Sequence, residues 1–217
     1  MSKALSNKRS KGQKKYVMVV DPAKCFNCKA CLVACQMENA VPLGSNRNWI
    51  KTARPGDPGP FLFQPGNCMQ CDEPSCVAAC PVGATFKGED GRVLINPSKC
   101  ISCGNCVTAC PYGARYLNKV RRTADKCDYC QKRLAAGLEP ACVVICPTQA
   151  RAFGDLNDPE SRVSRMLKGE KHFVVRHARI DTKPSIFYVS GPRLQTWPKE
   201  PSLPGGVFPN DDFWKQY

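Results

Sequence analysis

Sixteen cysteines fall into four runs of four, and this spacing limits what the chain can become more than any other feature. The runs are Cys25, Cys28, Cys31 and Cys35; Cys68, Cys71, Cys76 and Cys80; Cys100, Cys103, Cys106 and Cys110; and Cys127, Cys130, Cys142 and Cys146. No cysteine is left over. Runs one and three share the spacing C-x2-C-x2-C-x3-C. Runs two and four keep the flanking C-x2-C and C-x3-C pairs, with four residues between Cys71 and Cys76 and eleven between Cys130 and Cys142. Pro81, Pro111 and Pro147 each follow the last cysteine of a run, where proline prevents a helix from continuing. Gln36 follows Cys35 instead, so there a helix is predicted to run on through Met37 and Glu38.

Thiolates in this pattern match the signature of iron-sulfur cubes held in pairs. Three closely spaced cysteines wrap one cube, and the fourth points at a neighbouring one. Disulfides suit secreted domains of under about 100 residues, and cysteines so close in sequence make awkward partners. Structural zinc asks for a tetrahedral set of two C-x2-C pairs or histidines. Either explains a single run; neither explains the repetition. The expectation is iron, as 4Fe-4S clusters, bound through all sixteen cysteines.

An internal repeat points the same way. Val19-Val20-Asp21-Pro22-Ala23-Lys24-Cys25 resembles Leu94-Ile95-Asn96-Pro97-Ser98-Lys99-Cys100, a short strand and an Asx-Pro turn that deliver the first ligand. Pro81-Val82-Gly83-Ala84 matches Pro111-Tyr112-Gly113-Ala114 and, more loosely, Pro147-Thr148-Gln149-Ala150. Two such units make one ferredoxin-like domain with pseudo-two-fold symmetry, so four units imply two domains. The predicted class is α+β, with short strands and helices. About 54 residues per run are too few for a sizeable apolar core around each, so the clusters must organise much of the fold.

The formal charge of +14 invites a nucleic-acid reading. Four oxidised cubes with their thiolates, at about −2 each, lower it to roughly +6, an ordinary surface charge. No helicase or glycosylase motif is present, and nucleic acid is not an expected partner. Lys24, Lys29, Lys99, Arg115 and Lys126 lie close to ligands in sequence. They either raise reduction potentials or are solvated face residues. No stretch approaches the roughly 18 apolar residues of a membrane span. Residues 1–15 are basic, without acids or an apolar h-region, and read as a disordered tail rather than a secretory signal. No catalytic motif appears, and His172 and His177 sit in no ligand or nucleophile pattern.

After the last ligand, residues 159–171 read as a short amphipathic helix, with Val163, Met166 and Leu167 on one face. Phe173-Val174-Val175 and Ile186-Phe187-Tyr188-Val189 read as strands. Residues 191–217 combine Pro192, Pro198, Pro201, Pro204 and Pro209 with Trp197, Phe208, Phe213 and Trp214. Prolines limit helix while aromatics seek burial, so this stretch reads as an extended C-terminal arm on a partner subunit, or else as a frayed terminus.

Across roughly residues 16–191 the chain resembles the four-cluster electron-transfer subunits of the molybdopterin (dimethyl sulfoxide reductase) superfamily, in its polysulfide, thiosulfate and tetrathionate reductase branch. Tyr16-Val17-Met18, Met37-Glu38-Asn39, Phe153 to Pro159 and Lys183 to Tyr188 carry that likeness beyond the cysteines. The resemblance implies that run one pairs with run four and run two with run three. Cys25, Cys28 and Cys31 would then share a cluster with Cys146; Cys127, Cys130 and Cys142 with Cys35; Cys68, Cys71 and Cys76 with Cys110; and Cys100, Cys103 and Cys106 with Cys80.

It also implies an organisation. Residues 16–66 with 120–158 would form one ferredoxin-like domain and 67–119 the other, followed by a 159–190 extension and the 191–217 arm. The subunit would be non-catalytic, relaying electrons between an integral membrane quinone-reactive subunit and a molybdenum or tungsten bis-pterin catalytic subunit. It would be peripheral to the membrane, on the exoplasmic side through co-export with a signal-bearing partner. The alternative is a free cytoplasmic polyferredoxin.

Overall fold

The computed structural model describes residues 13–52, 63–177 and 180–189. The expected C-terminal arm, and the basic tail up to residue 12, lie outside them.

Four strand pairs link the cysteine runs in a ring. Run one leads to the antiparallel pair β2 (Asn48–Thr52) and β3 (Phe63–Asn67), which delivers run two. Run two leads to β4 (Thr85–Lys87) and β5 (Val93–Ile95), and run three to β6 (Tyr116–Asn118) and β7 (Thr123–Asp125). After run four, β8 (Arg151–Asp155) returns to pair antiparallel with β1 (Tyr16–Val20), with Met18 opposite Phe153, and so closes the ring.

That last pair belongs to a four-stranded sheet of order β8-β1-β10-β9, where β9 is His172–Phe173 and β10 is Ile186–Val189. Residues Val17 to Val20 are wholly buried because the sheet is covered on both faces. Met18, Val20, Phe153, Ile186 and Tyr188 face the cysteine core. Val17, Val19, Ala152 and Val189 pack under α6 (Arg162–Gly169) through Val163, Met166 and Leu167, a stripe at helical spacing. Ser161 caps α6, its hydroxyl accepting from the Ser164 N–H at 3.2 Å. The helix is thus shorter than the 159–171 expected, and strand β9 stops at Phe173 rather than Val175. Because β10 lies parallel to β1, the stretch after the last ligand is built into the sheet.

Four helices carry the third cysteine of each run: α1 (Ala30–Asn39), α2 (Ser75–Ala78), α3 (Asn105–Thr108) and α5 (Ala141–Val144). The short α4 (Gln131–Ala135) fills the insertion in run four. As Gln36 predicts, α1 alone continues past its last cysteine. Helix α1 packs on α5 and α2 on α3, so the helices of runs one and four meet, as do those of runs two and three.

The repeat is visible in backbone detail. Asp21 and Asn96 each accept an N–H two residues on, at 3.1 and 3.0 Å, and start the 3-10 turns before Cys25 and Cys100. Gly83, Gly113 and Gln149 share a left-handed backbone, with φ of 61°, 58° and 54°. Gln149 therefore makes the turn glycine makes elsewhere, and Ala84, Ala114 and Ala150 are buried just after it.

Candidate metal centres

Three of the four quartets line shared cavities. Cys25, Cys28, Cys31 and Cys146 surround about 320 Å³ of space, walled also by Ile50, Pro65 and Arg151. Cys68, Cys71, Cys76 and Cys110 surround another of about 320 Å³, with Tyr112, Arg115 and Thr182. Cys35, Cys127, Cys130 and Cys142 surround about 280 Å³, with Asn39, Arg47, Asn67 and Tyr129. Among the described residues, no three cysteine, histidine, aspartate or glutamate side chains close on one point as a single ion requires. The thiols enclose volumes instead.

Of the remaining set, Cys80, Cys100, Cys103 and Cys106, only Cys100 and Cys106 are brought into one cluster. Cys106 and Cys100 join Cys76 in one apolar cluster on the packed α2 and α3. Backbone N–H groups donate to the outer sulfurs of the repeat: Thr85 to Cys80 at 3.5 Å, Ala124 to Cys100 at 3.3 Å, and Ala150 to Cys146 at 3.2 Å. Such donors favour a charged sulfur.

Each of the three cavities holds a buried guanidinium. Arg151, 1% exposed, donates to Asn67 Oδ1 at 3.0 Å and to the Gly66 carbonyl at 3.4 Å, with no carboxylate partner among the described residues. Burial disfavours its charge, but the Cys142 and Cys31 thiols favour it more and raise its pKa. Arg47 is tied to Asp125 at 2.6 Å, Asp128 at 3.2 Å and the Asn39 amide oxygen at 2.8 Å. Arg115 donates to Thr85 Oγ1 at 3.2 Å, while its Nε and Nη2 are buried with no partner among the described residues. Unpaired donors in a cavity lined by thiols fit an anionic group rich in acceptors, which a thiolate-bound iron-sulfur cube is.

Side-chain amides add to this. Asn39 Nδ2 lies 3.6 Å from Cys130 Sγ and 3.7 Å from Cys35 Sγ, and Asn67 Nδ2 lies 3.5 Å from Cys127 Sγ. Burial, reinforced by neighbouring thiols, pushes Cys35 up to about 12 and Cys110 up to about 11. Burial likewise lifts Cys71 to about 12, although Thr182 opposes it. Several buried thiols cannot ionise together without a cation between them. At Cys80 burial also raises the pKa, but N–H groups of Thr85, Val82 and Ala84 outweigh it and the net shift is downward.

Of the basic residues singled out from sequence, Arg115 and Lys126 are buried, whereas Lys24, Lys29 and Lys99 are exposed. Lys126 Nζ donates to the Cys127 carbonyl at 2.8 Å and to the Val93 carbonyl. Sequence proximity missed Arg47, 12 residues from the nearest cysteine, and Arg151 was passed over although it stands 5 residues from Cys146, as Arg115 does from Cys110. It also missed Thr182, brought to the Cys71 cavity when Asp72 and Glu73 N–H groups bond the carbonyls of Lys183 and Thr182 at 2.8 and 3.0 Å.

Profiles of the 4Fe-4S dicluster domain match residues 24–84 and 60–156. Together with the mixed strands and helices, they define a protein of two 4Fe-4S dicluster, ferredoxin-like domains. The chain is 47% identical over 176 residues to a tetrathionate reductase subunit of Archaeoglobus fulgidus, covering 81% of this chain and 82% of that one. It is 39% identical over 185 residues to a polysulfide reductase chain of Wolinella succinogenes, covering 83% and 96%. It is 41% identical over 169 residues to a thiosulfate reductase electron transfer subunit of Salmonella typhi, covering 76% and 87%. The chain belongs to this family of iron-sulfur electron-transfer subunits.

Proposed function

We propose that this chain is the electron wire of a membrane-associated respiratory reductase that acts on a sulfur compound. The observation that carries this reading is the gathering of three cysteine quartets around cavities that each hold a buried arginine. In this reading the quartets named from sequence are the ligand sets, the fourth being Cys80, Cys100, Cys103 and Cys106, for four 4Fe-4S clusters in all. When bound, such clusters supply one-electron transfer. The protein's part is to hold them in order, exclude water and set their potentials through the guanidinium and amide donors above.

The order is supported by adjacency. Arg151 feels the charge of both Cys31 and Cys142, from neighbouring cavities, and Cys127 feels Cys68 from the next. Cys28 at one end and Cys103 at the other are exposed. Beside them Phe26 and Ile101 present 57% and 61% of their surface, apolar points suited to a partner at each end. The domain of runs one and four faces a molybdenum or tungsten pterin catalytic subunit, and that of runs two and three faces an integral quinone-reactive subunit. Among the described residues no helix is long and apolar enough to cross a membrane. The chain itself is peripheral and non-catalytic in this reading, on the exoplasmic side.

Anaerobic native purification through this subunit, with mass identification and analysis for molybdenum and tungsten, tests the assignment. A large pterin-containing partner together with a polytopic membrane protein is expected. A lone protein carrying iron without either metal would replace the wire with a free polyferredoxin.

A further inference from the structure

The residue before the second cysteine of every run has a left-handed backbone: Asn27 at φ 62°, Gln70 at 47°, Ser102 at 57° and Tyr129 at 59°. Asn27 and Ser102 are half-buried, whereas Gln70 and Tyr129 have no exposed surface. Gln70 is fully used, donating to the Cys127 carbonyl and accepting from the Val93 N–H, both at 2.7 Å. Tyr129 is not. Its hydroxyl is buried without a hydrogen-bond partner among the described residues. The other buried tyrosines are satisfied, Tyr112 by Thr182 at 2.9 Å and Tyr188 by the Pro65 carbonyl at 3.0 Å.

An unmet hydroxyl in a core is destabilising, and a tyrosine in the left-handed region adds strain. Phenylalanine in the same place would avoid the first cost. The ring packs at 5.0 Å, edge-on, against Phe153 and lines the Cys35, Cys127, Cys130 and Cys142 cavity. The same core cluster holds Cys68, with Cys71 packed against it, from the next cavity. The thiols felt most strongly by the hydroxyl are Cys127 and Cys68, one from each side. Tyr129 therefore stands where the half built on runs one and four meets the half built on runs two and three.

We propose that the Tyr129 hydroxyl donates a hydrogen bond to the group held by Cys35, Cys127, Cys130 and Cys142, and so sets the reduction potential at the crossing between the two halves. This rests on the cluster assignment above. The hydroxyl complements the Asn39 and Asn67 amides, which already approach three of those sulfurs. A donor to a centre that becomes more negative on reduction stabilises the reduced state. Tyr129 is thus a potential-setting residue for one carrier, beside Arg47 in the same cavity wall.

The test is a potentiometric titration of the intact, anaerobically purified complex, followed by electron paramagnetic resonance, with iron and sulfide measured on each sample. Wild type must show four one-electron iron-sulfur carriers; fewer would overturn the cluster assignment itself. Tyr129→Phe should keep full iron and make one carrier about tenfold harder to reduce, a shift of about 59 mV, with three unchanged. Replacing Tyr129 by 3-fluorotyrosine keeps ring and hydroxyl but strengthens the donor, and should move the same carrier in the opposite direction. If Tyr129→Phe loses iron, the fluorotyrosine protein decides alone. Potentials unmoved by the substitutions, or shifted equally in all carriers, would overturn the proposal.

Discussion

Replacing Arg151 by glutamine should lower the potential of the cluster assigned to Cys25, Cys28, Cys31 and Cys146. Arg151 lines the same cavity as those four thiols, and a guanidinium in such a wall is taken to act over about 6 Å. At an effective dielectric of about 20, a unit charge at that distance is worth about 3 kcal/mol. For a one-electron carrier this is about 0.1 V. Arg151 is 1% exposed and its hydrogen bonds to Asn67 and Gly66 go to neutral acceptors, so no carboxylate among the described residues cancels this field. Lys24 gives the contrast: it adjoins Cys25, but its side chain is 53% exposed and 3.3 Å from Asp21. Solvent and its partner screen it, so Lys24→Gln should move the same midpoint by a small fraction of that amount. Arg151→Lys keeps the charge and should keep most of the potential. The assay is a potentiometric titration of each purified complex. An Arg151→Gln midpoint equal to wild type, with iron retained, would refute the electrostatic reasoning.

Other perturbations read different parts of the account. Cys146→Ser and Cys28→Ser should abolish the same spectroscopic signal although they sit in different runs, whereas Cys35→Ser should abolish the signal lost in Cys130→Ser; pairing by run would group them otherwise. Gly66→Ala places a Cβ 2.4 Å from Trp49 Nε1 across the β2-β3 pair, so the indole must move, with a loss of about 1–3 kcal/mol visible as a lower melting temperature. Asp72 is held down to about 2: burial opposes this, but Lys15 at 2.6 Å and Lys87 at 2.8 Å outweigh it. Its contribution is complete above the unfolded carboxylate range near pH 4 and fades as pH falls towards 2. Asp72→Asn should therefore cost about 1–2 kcal/mol at neutral pH and move acid bleaching of the visible absorbance to higher pH.

What could be read from the chain was whatever is local. Asp21 and Asn96 announce their turns because an Asx side chain and a following proline act within three residues. Gln36 in place of proline foretells the overrun of α1 for the same reason. The stripe Val163, Met166 and Leu167 announces α6, though Ser161 rather than Pro159 sets its start. The non-local features were not legible. Strand β10 finds β1 although Ile186 lies 166 positions beyond Val20, and no periodicity in Ile186–Val189 names that neighbour. Arg47 and Arg151 look like any surface cation until the ring of strand pairs turns them inward, and a bias towards residues beside cysteines favoured the exposed Lys24, Lys29 and Lys99 instead. Tyr129 was hidden inside a motif read only for its cysteines.

The most direct test of the central claim is iron and acid-labile sulfide per polypeptide in the anaerobically purified subunit. Four complete cubes predict about sixteen of each, with no zinc. About twelve would remove one quartet, and Cys80, Cys100, Cys103 and Cys106, the set that lines none of the three cavities, would be the one to fall; zinc without sulfide would contradict the account altogether.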